Sequence, residues 1–184
     1  MPYTFFGDNN KTVEIKDSKI AGAGTGLFAK KKFKKEEFIC FYFGVLVDRE
    51  IVENEYYDSD YLLKNPDHPN LIIDAEDPLS CFGRYANDSL SRKKNNSKFE
   101  YYVDIHSASL VATKDIKKGE EIYVDYGTQY WLEERRYNKL SNEDKAYVDR
   151  RDNGEELWDD EWSQIGSEKE AKKGGGCMRN MKSN

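Results

Sequence analysis

Residues 119–127, GEEIYVDYG, restrict what this chain can fold into more than any other stretch. Gly119-Glu120-Glu121 reads as a turn. After it, Ile122, Val124 and Tyr126 fall on every second position with Tyr123 and Asp125 between them, the period of a half-buried strand. Gly127 frees the backbone to turn at the strand's end, and such an ending can leave the Tyr126 phenol facing a cavity. The chain has 13 tyrosines, and the ordinary fate of a tyrosine is packing. The role of Tyr126 therefore has to be decided by stretches far from it.

Those stretches are mostly short and β-prone. Residues 3–7 are an aromatic opening that suits a strand or a lid, and residues 13–15 alternate as a short strand. Residues 21–26 (AGAGTG) hold too many glycines for a helix interior and predict a turn before an apolar strand at 27–29. The lysines of residues 30–35 read as a solvated hairpin turn or as a binding patch, with Phe33 among them. Residues 38–47 predict a buried strand bent at Gly44. Asp48 can cap a short helix carrying Ile51 and Val52. Further strands are expected at 56–63, 71–74, 99–103 and 109–113, with polar loops at 65–70 and 91–98. After Gly127 the pattern becomes helical, over 131–140 and, behind a Ser141-x-x-Asp144 cap, to about Arg151. The fold class expected is β-rich: mainly β, built of small sheets, with C-terminal helices.

Composition narrows the function classes. At 184 residues the chain suits one domain with an appendage, and an aromatic content of 14% predicts a core rich in rings. A charged fraction of 35% predicts a very polar surface, with residues 166–184 as a disordered tail. No apolar run approaches a membrane span and the first eleven residues lack a leader pattern, so an intracellular protein with no membrane partner is expected. Three cysteines without close spacing (Cys40, Cys81, Cys177) fit a reducing compartment. His68 and His106 lie far apart in the chain with no cysteine or acidic cluster beside them, which argues against a metal. A net charge of −6 makes direct nucleic-acid binding a poor expectation and favours a basic protein or peptide as partner.

Three separated stretches line up with one another: GAGTGLFA at 22–29, IDAEDPLSCFGRYANDS at 73–89 and ATKDIKKGEEIYVDYG at 112–127. In order and spacing they resemble the SET domain of protein lysine methyltransferases, over about residues 12–127. The resemblance implies a β-rich SET fold with a pseudoknot, in which residues 84–89 thread beneath a loop. It also implies S-adenosylmethionine as methyl donor. On its own the glycine stretch reads equally as a tight turn with no ligand, but two other readings fail: no Gly-Lys-Ser/Thr follows for a P-loop, and GAGTGL lacks the third glycine and the helix of a dinucleotide site.

Under the resemblance, the backbone of Ala23, Gly24, Thr25 and Gly26 approaches the donor, as small residues allow. Arg84, Tyr85, Asn87 and Asp88 answer to the family's Arg-Phe-x-Asn-His-Ser, with Asn87 bonding the donor's amino-acid portion. Asp88 stands where histidine is usual, and the Cys-x-Pro-Asn that commonly follows is missing. Tyr126 answers to the catalytic tyrosine. Tyr42, Tyr61, Tyr102 and Val124 are candidates for the substrate channel, each with core packing as its competing role. The cysteine cluster that commonly closes the channel with zinc is absent, leaving Trp131, or Trp158 and Trp162, to cover the adenine. The organisation implied is an N-terminal flank (1–11), a SET domain (12–128), a helical flank closing the site (129–165) and a tail (166–184). The expected activity is protein-lysine N-methylation of a basic, extended peptide such as a histone tail, in the nucleus. The alternatives are a SET-like interaction module with weak or no catalysis, and an enzyme acting on a non-histone protein.

Overall fold

The structure is a computed structural model that describes residues 11–53, 57–65, 68–102 and 106–155. The expectations for residues 3–7, Trp158, Trp162, Cys177 and the 166–184 tail lie outside the described residues. The chain divides into two compact units, Met1–Tyr126 and Gly127–Asn184.

The first unit is three small antiparallel sheets. β1 (Val13–Asp17), β2 (Thr25–Ala29) and β9 (Glu121–Ile122) form the first, in the order β1-β2-β9. β3 (Phe38–Tyr42), β8 (Ser107–Ala112) and β7 (Ser97–Tyr102) form the second, with β8 central and buried along its whole length. β4 (Val45–Asp48), β6 (Leu71–Asp74) and β5 (Leu62–Lys64) form the third. Two apolar clusters lie between them. Val13, Leu27, Phe33, Ile39, Leu110, Ile116, Ile122 and Val124 make one, and Tyr42, Leu63, Ile73, Ala75, Cys81 and Ala108 the other. Phe99 packs against both.

Sequence chemistry explains the breaks. The 38–47 run is two strands in two sheets, parted at Phe43-Gly44. A Cβ on Gly44 would stand 2.0 Å from the Asp74 carbonyl oxygen, so only glycine lets the chain cross there. Asp48 caps α1 (Arg49–Val52) by accepting from the Glu50 amide at 3.0 Å. The lysine turn is solvated at every lysine, yet Phe33 is fully buried and its backbone exchanges hydrogen bonds with Ile116 at 2.9 and 3.0 Å. The turn is thus pinned by one ring.

Several elements depart from the sequence reading. Residues 57–61 are not a strand, because the Tyr57 and Ser59 hydroxyls both donate to the buried Asp74 carboxylate and hold the backbone in another course. The polar loop expected at 91–98 ends earlier: Ser97 opens β7, and Asn96 and Ser97 are buried. Thr25 and Gly26 belong to β2 rather than to the glycine turn. The two histidines, remote in sequence, meet edge to face with ring centroids 4.7 Å apart.

In its described residues, 127–155, the second unit is helical. The single helix expected over 131–140 is instead two one-turn helices, α2 (Thr128–Trp131) and α3 (Glu134–Tyr137), with Glu133 extended between them at ψ 128°. Arg136 accounts for part of this break: its guanidinium lies 3.9 Å from the centre of the Tyr130 ring, and its Nη1 donates to the Tyr130 carbonyl. α4 (Asn142–Asp152) begins where its cap predicts, with Ser141 Oγ accepting from the Asp144 amide at 3.1 Å.

Candidate functional site

The glycine turn closes between Ser18 and Gly24, whose amide and carbonyl bond at 2.8 Å, and it leaves Ala23, Gly24 and Thr25 exposed. Gly26 behind them is buried, and a Cβ there would come within 2.2 Å of Glu121 Oε1. Glu121 is therefore pressed against the floor of the turn. Only 2% of it is exposed, and its carboxylate accepts from Ser18 Oγ (2.6 Å), the Lys19 amide (2.7 Å) and the Tyr123 hydroxyl (2.8 Å), with Asn87 Nδ2 at 3.5 Å. The Tyr123 phenol is pushed up by burial first and by this carboxylate second. Asn87 Nδ2 also donates to the Thr25 carbonyl at 2.9 Å, tying the turn to the 84–89 segment. Local sequence pattern places Glu121 in a turn and gives no hint of this role. The steric signal was Gly26, but it points to Glu121 only once the two strands are paired.

Residues 121–124 run between two other segments. On one side the Val124 amide donates to the Asn87 carbonyl at 2.9 Å. On the other, the Tyr123 carbonyl accepts from the amides of Asn96 and Ser97, and the Asn96 side chain bonds both the Tyr123 amide and the Glu121 carbonyl. Both pairings are isolated parallel bridges, Asn87↔Tyr123 and Ser97↔Val124. The asparagine-rich stretch of the supposed loop is thus what clamps the strand.

Tyr126 follows directly. It is half-buried against the first apolar cluster. Its amide donates to Asp88 Oδ2 at 3.1 Å and its hydroxyl donates to the Ala86 carbonyl at 2.8 Å. A phenol whose proton is committed to a carbonyl still offers its oxygen lone pairs to another donor. Tyr42 is buried and donates to the Tyr61 carbonyl at 2.7 Å. Burial holds the Tyr42 phenol well above its ordinary range, with the Cys81 thiol and the Tyr126 phenol near enough to add to the effect. Tyr42 and Tyr61 are therefore neighbours, and Tyr126 lies within electrostatic reach of Tyr42.

The other candidates fall elsewhere or serve the frame. Arg84 Nε donates to the Ala75 carbonyl (2.7 Å) and Nη2 to that of Glu76 (3.0 Å), with the guanidinium 3.8 Å from the centre of the Tyr61 ring and 4.8 Å from that of Tyr85. The Tyr85 hydroxyl donates to the Pro78 carbonyl. Both side chains thus hold the 75–78 loop. Tyr102 bonds Ser109 and meets Phe41 edge-on, which puts it on the face of its sheet opposite to Tyr42. Val124 is 1% exposed, within the first cluster. Trp131 is half-buried in α2 of the second unit, its ring edge-on to Tyr130.

Comparison with known proteins adds the following. The SET domain family matches residues 24–127. A histone-lysine N-methyltransferase of Caenorhabditis elegans is 27% identical over 130 residues, covering 66% of this chain and 52% of its own. An N-lysine methyltransferase of Xenopus laevis is 29% identical over 123 residues, covering 61% of this chain and 36% of its own. Among solved structures, a chain of ctPRC2 in an autoinhibited conformation bound to S-adenosylmethionine superposes with a TM-score of 0.51 at 27% identity. A humanized mutant of the Chaetomium thermophilum Polycomb Repressive Complex 2 bound to an inhibitor gives 0.54, also at 27% identity. In both cases 64% of this chain and 15% of the other are covered. The chain thus spans about half the length of the nematode relative and about a third of the frog one.

Proposed function

This chain belongs to the SET domain family, whose match at residues 24–127 takes in more than half of it, and on that premise we propose that it is a protein-lysine N-methyltransferase using S-adenosylmethionine. The observation that carries the reading is the frame around Tyr126. Its hydroxyl is fixed to Ala86 and its amide to Asp88, one residue either side of Asn87, which is itself bonded to the exposed glycine turn. A donor-binding surface and a phenol are thereby set in one rigid piece.

The residues fit the donor on two counts. The 23–25 turn presents exposed backbone free of bulky side chains. Among the described residues, none donates to the Asn87 side-chain oxygen, which leaves an acceptor for an ammonium group. When bound, S-adenosylmethionine supplies an electrophilic methyl group on a cationic sulfur. The chain's own work is on the other reactant. A lysine amine must arrive uncharged, although its ordinary pKa is about 10.4. An apolar approach past Tyr42 and Tyr61 disfavours ammonium by desolvation. The Tyr126 oxygen can then accept an amine hydrogen and aim the nitrogen lone pair for in-line displacement, where alignment governs the rate.

For the substrate, a basic extended peptide such as a histone tail is the class we favour. The net charge of −6 supports it, as does the histone activity in the nematode relative's name. A histone substrate would place the protein in the nucleus. Incubating the protein with radiolabelled donor and mixed histones should show methyl transfer, and Tyr126→Phe should lower kcat about 100-fold or more while leaving donor affinity within about 3-fold. Donor binding without transfer to any basic protein would leave an interaction module as the better reading.

A further inference from the structure

Asp88, in the 84–89 segment, faces inward. It is 5% exposed. Its Oδ1 accepts from the Leu90 amide at 2.9 Å and from Asn95 Nδ2 at 3.0 Å, while its Oδ2 accepts from the Tyr126 amide at 3.1 Å. We propose that Asp88 is a positioning residue for Tyr126, its carboxylate fixing the backbone from which the phenol projects; the inference rests on the methyltransferase reading above.

The chemistry of the side chain suits this task. A carboxylate offers about four acceptor sites, whereas a neutral imidazole offers one. Three donors converge here, from two segments 36 positions apart (Leu90 and Tyr126) and from Asn95, so only an acid serves them all. A buried carboxylate without such donors would be costly, and here each one also sets geometry. The Leu90 backbone has φ +50°, a bend the Asp88 bond helps to hold. Asn95 in turn accepts from the Ser89 amide and hydroxyl, closing the loop on itself. Ala86, two residues earlier, accepts the Tyr126 hydroxyl, and Asn87 between them accepts the Val124 amide. Three consecutive residues thus hold the tyrosine by both ends and the strand behind it by the middle. Without the carboxylate, the Tyr126 backbone loses this bond while the phenol keeps the one to Ala86.

The test compares Asp88→Ala and Asp88→Asn with wild type in the full chain, by steady-state kinetics, calorimetry with S-adenosylhomocysteine, and amide hydrogen exchange. Asp88→Ala should lower kcat about 10- to 100-fold while the donor and peptide KM values move less than about 3-fold. Asp88→Asn keeps one carbonyl oxygen and should recover part of that loss. Tyr126 amide exchange should quicken at least about 10-fold, with the Val124 amide, bonded to Asn87, as internal reference. Unchanged kcat, a loss seen only as weaker donor binding, or an equally protected Tyr126 amide overturns the proposal. If Asp88→Ala fails to fold, Asp88→Asn decides by the same readouts. If wild type binds donor but transfers nothing, the enzyme reading fails alone, and the exchange measurement still decides the role of Asp88.

Discussion

Glu121 shows what a buried acid can organise. Its three close donors come from Ser18, Lys19 and Tyr123, so one side chain joins the glycine turn to the strand that leads to Tyr126. Glu121→Ala would remove the acceptor that these part-buried donors share and should destabilise the protein by about 1–3 kcal/mol, with Glu121→Gln costing roughly half, measured by urea denaturation. Donor affinity should fall with it, because the turn loses its floor. Gly26→Ala approaches the same contact from the other side. With 2.2 Å to Glu121 Oε1, it should cost about 1–3 kcal/mol. Tyr57 supplies a pH-dependent case. Burial, and then its hydrogen bond to Asp74, push this phenol up to about 12 from an ordinary 10. A raised folded-state pKa gives stability that is complete below pH 10 and is lost as pH rises through 12. Tyr57→Phe should therefore flatten part of the stability loss between those values; an identical profile for variant and wild type would remove Tyr57 from the account.

At the scale of elements, the lysine turn at 30–35 illustrates how one apolar residue decides the fate of a polar segment. Lys32 and Lys34 pair with Asp115 at 3.0 and 3.2 Å, all of them on the surface, where such pairs contribute little. Asp115 is held down to about 2 by those lysines. Phe33, fully buried between β2 and β8 neighbours, is what fixes the turn. Phe33→Ala should cost about 3–5 kcal/mol, against less than about 0.5 for Lys34→Ala, read from chemical denaturation midpoints. The same contrast explains what the sequence disclosed. Strands with clean alternation or continuous apolar runs, such as Leu71–Asp74 and Phe38–Tyr42, were legible, as was the α4 cap at Ser141, whereas Val45 and Leu46, expected buried, are exposed. The elements misread were those where side chains compete for the backbone's course: Ser59 and Tyr57 reaching Asp74, and Arg136 reaching the Tyr130 carbonyl. In the candidate site, the three stretches stood out through their resemblance to the SET domain, whose family match spans 24–127, and the fold brings Ala86 and Asp88 to Tyr126. The buried acids were not legible: Ser18, a partner of Glu121, lies 103 positions away, and local pattern assigns such a residue to solvent.

For the molecule as a whole, the question is how a protein carrying −6 would select a lysine that must react uncharged. The two demands act at different distances. Long-range attraction concerns the ensemble of charges on a basic peptide and works in water, whereas deprotonation concerns one amine and works only where water is excluded. Under the proposed function, the net charge should therefore govern encounter and the apolar surroundings of the reacting amine the chemical step, and salt separates them. Raising ionic strength from about 0.01 M to about 0.1 M shortens the screening length from about 30 Å to about 10 Å. KM for a basic peptide should then rise about 3- to 10-fold with kcat unchanged, since the reacting groups lie closer together than either length. A peptide of the same length with its flanking lysines and arginines replaced by glutamine should lose most of that dependence. If KM is flat in salt for both peptides, charge has no part in recognition, and the substrate must be chosen by short-range contacts in the channel alone.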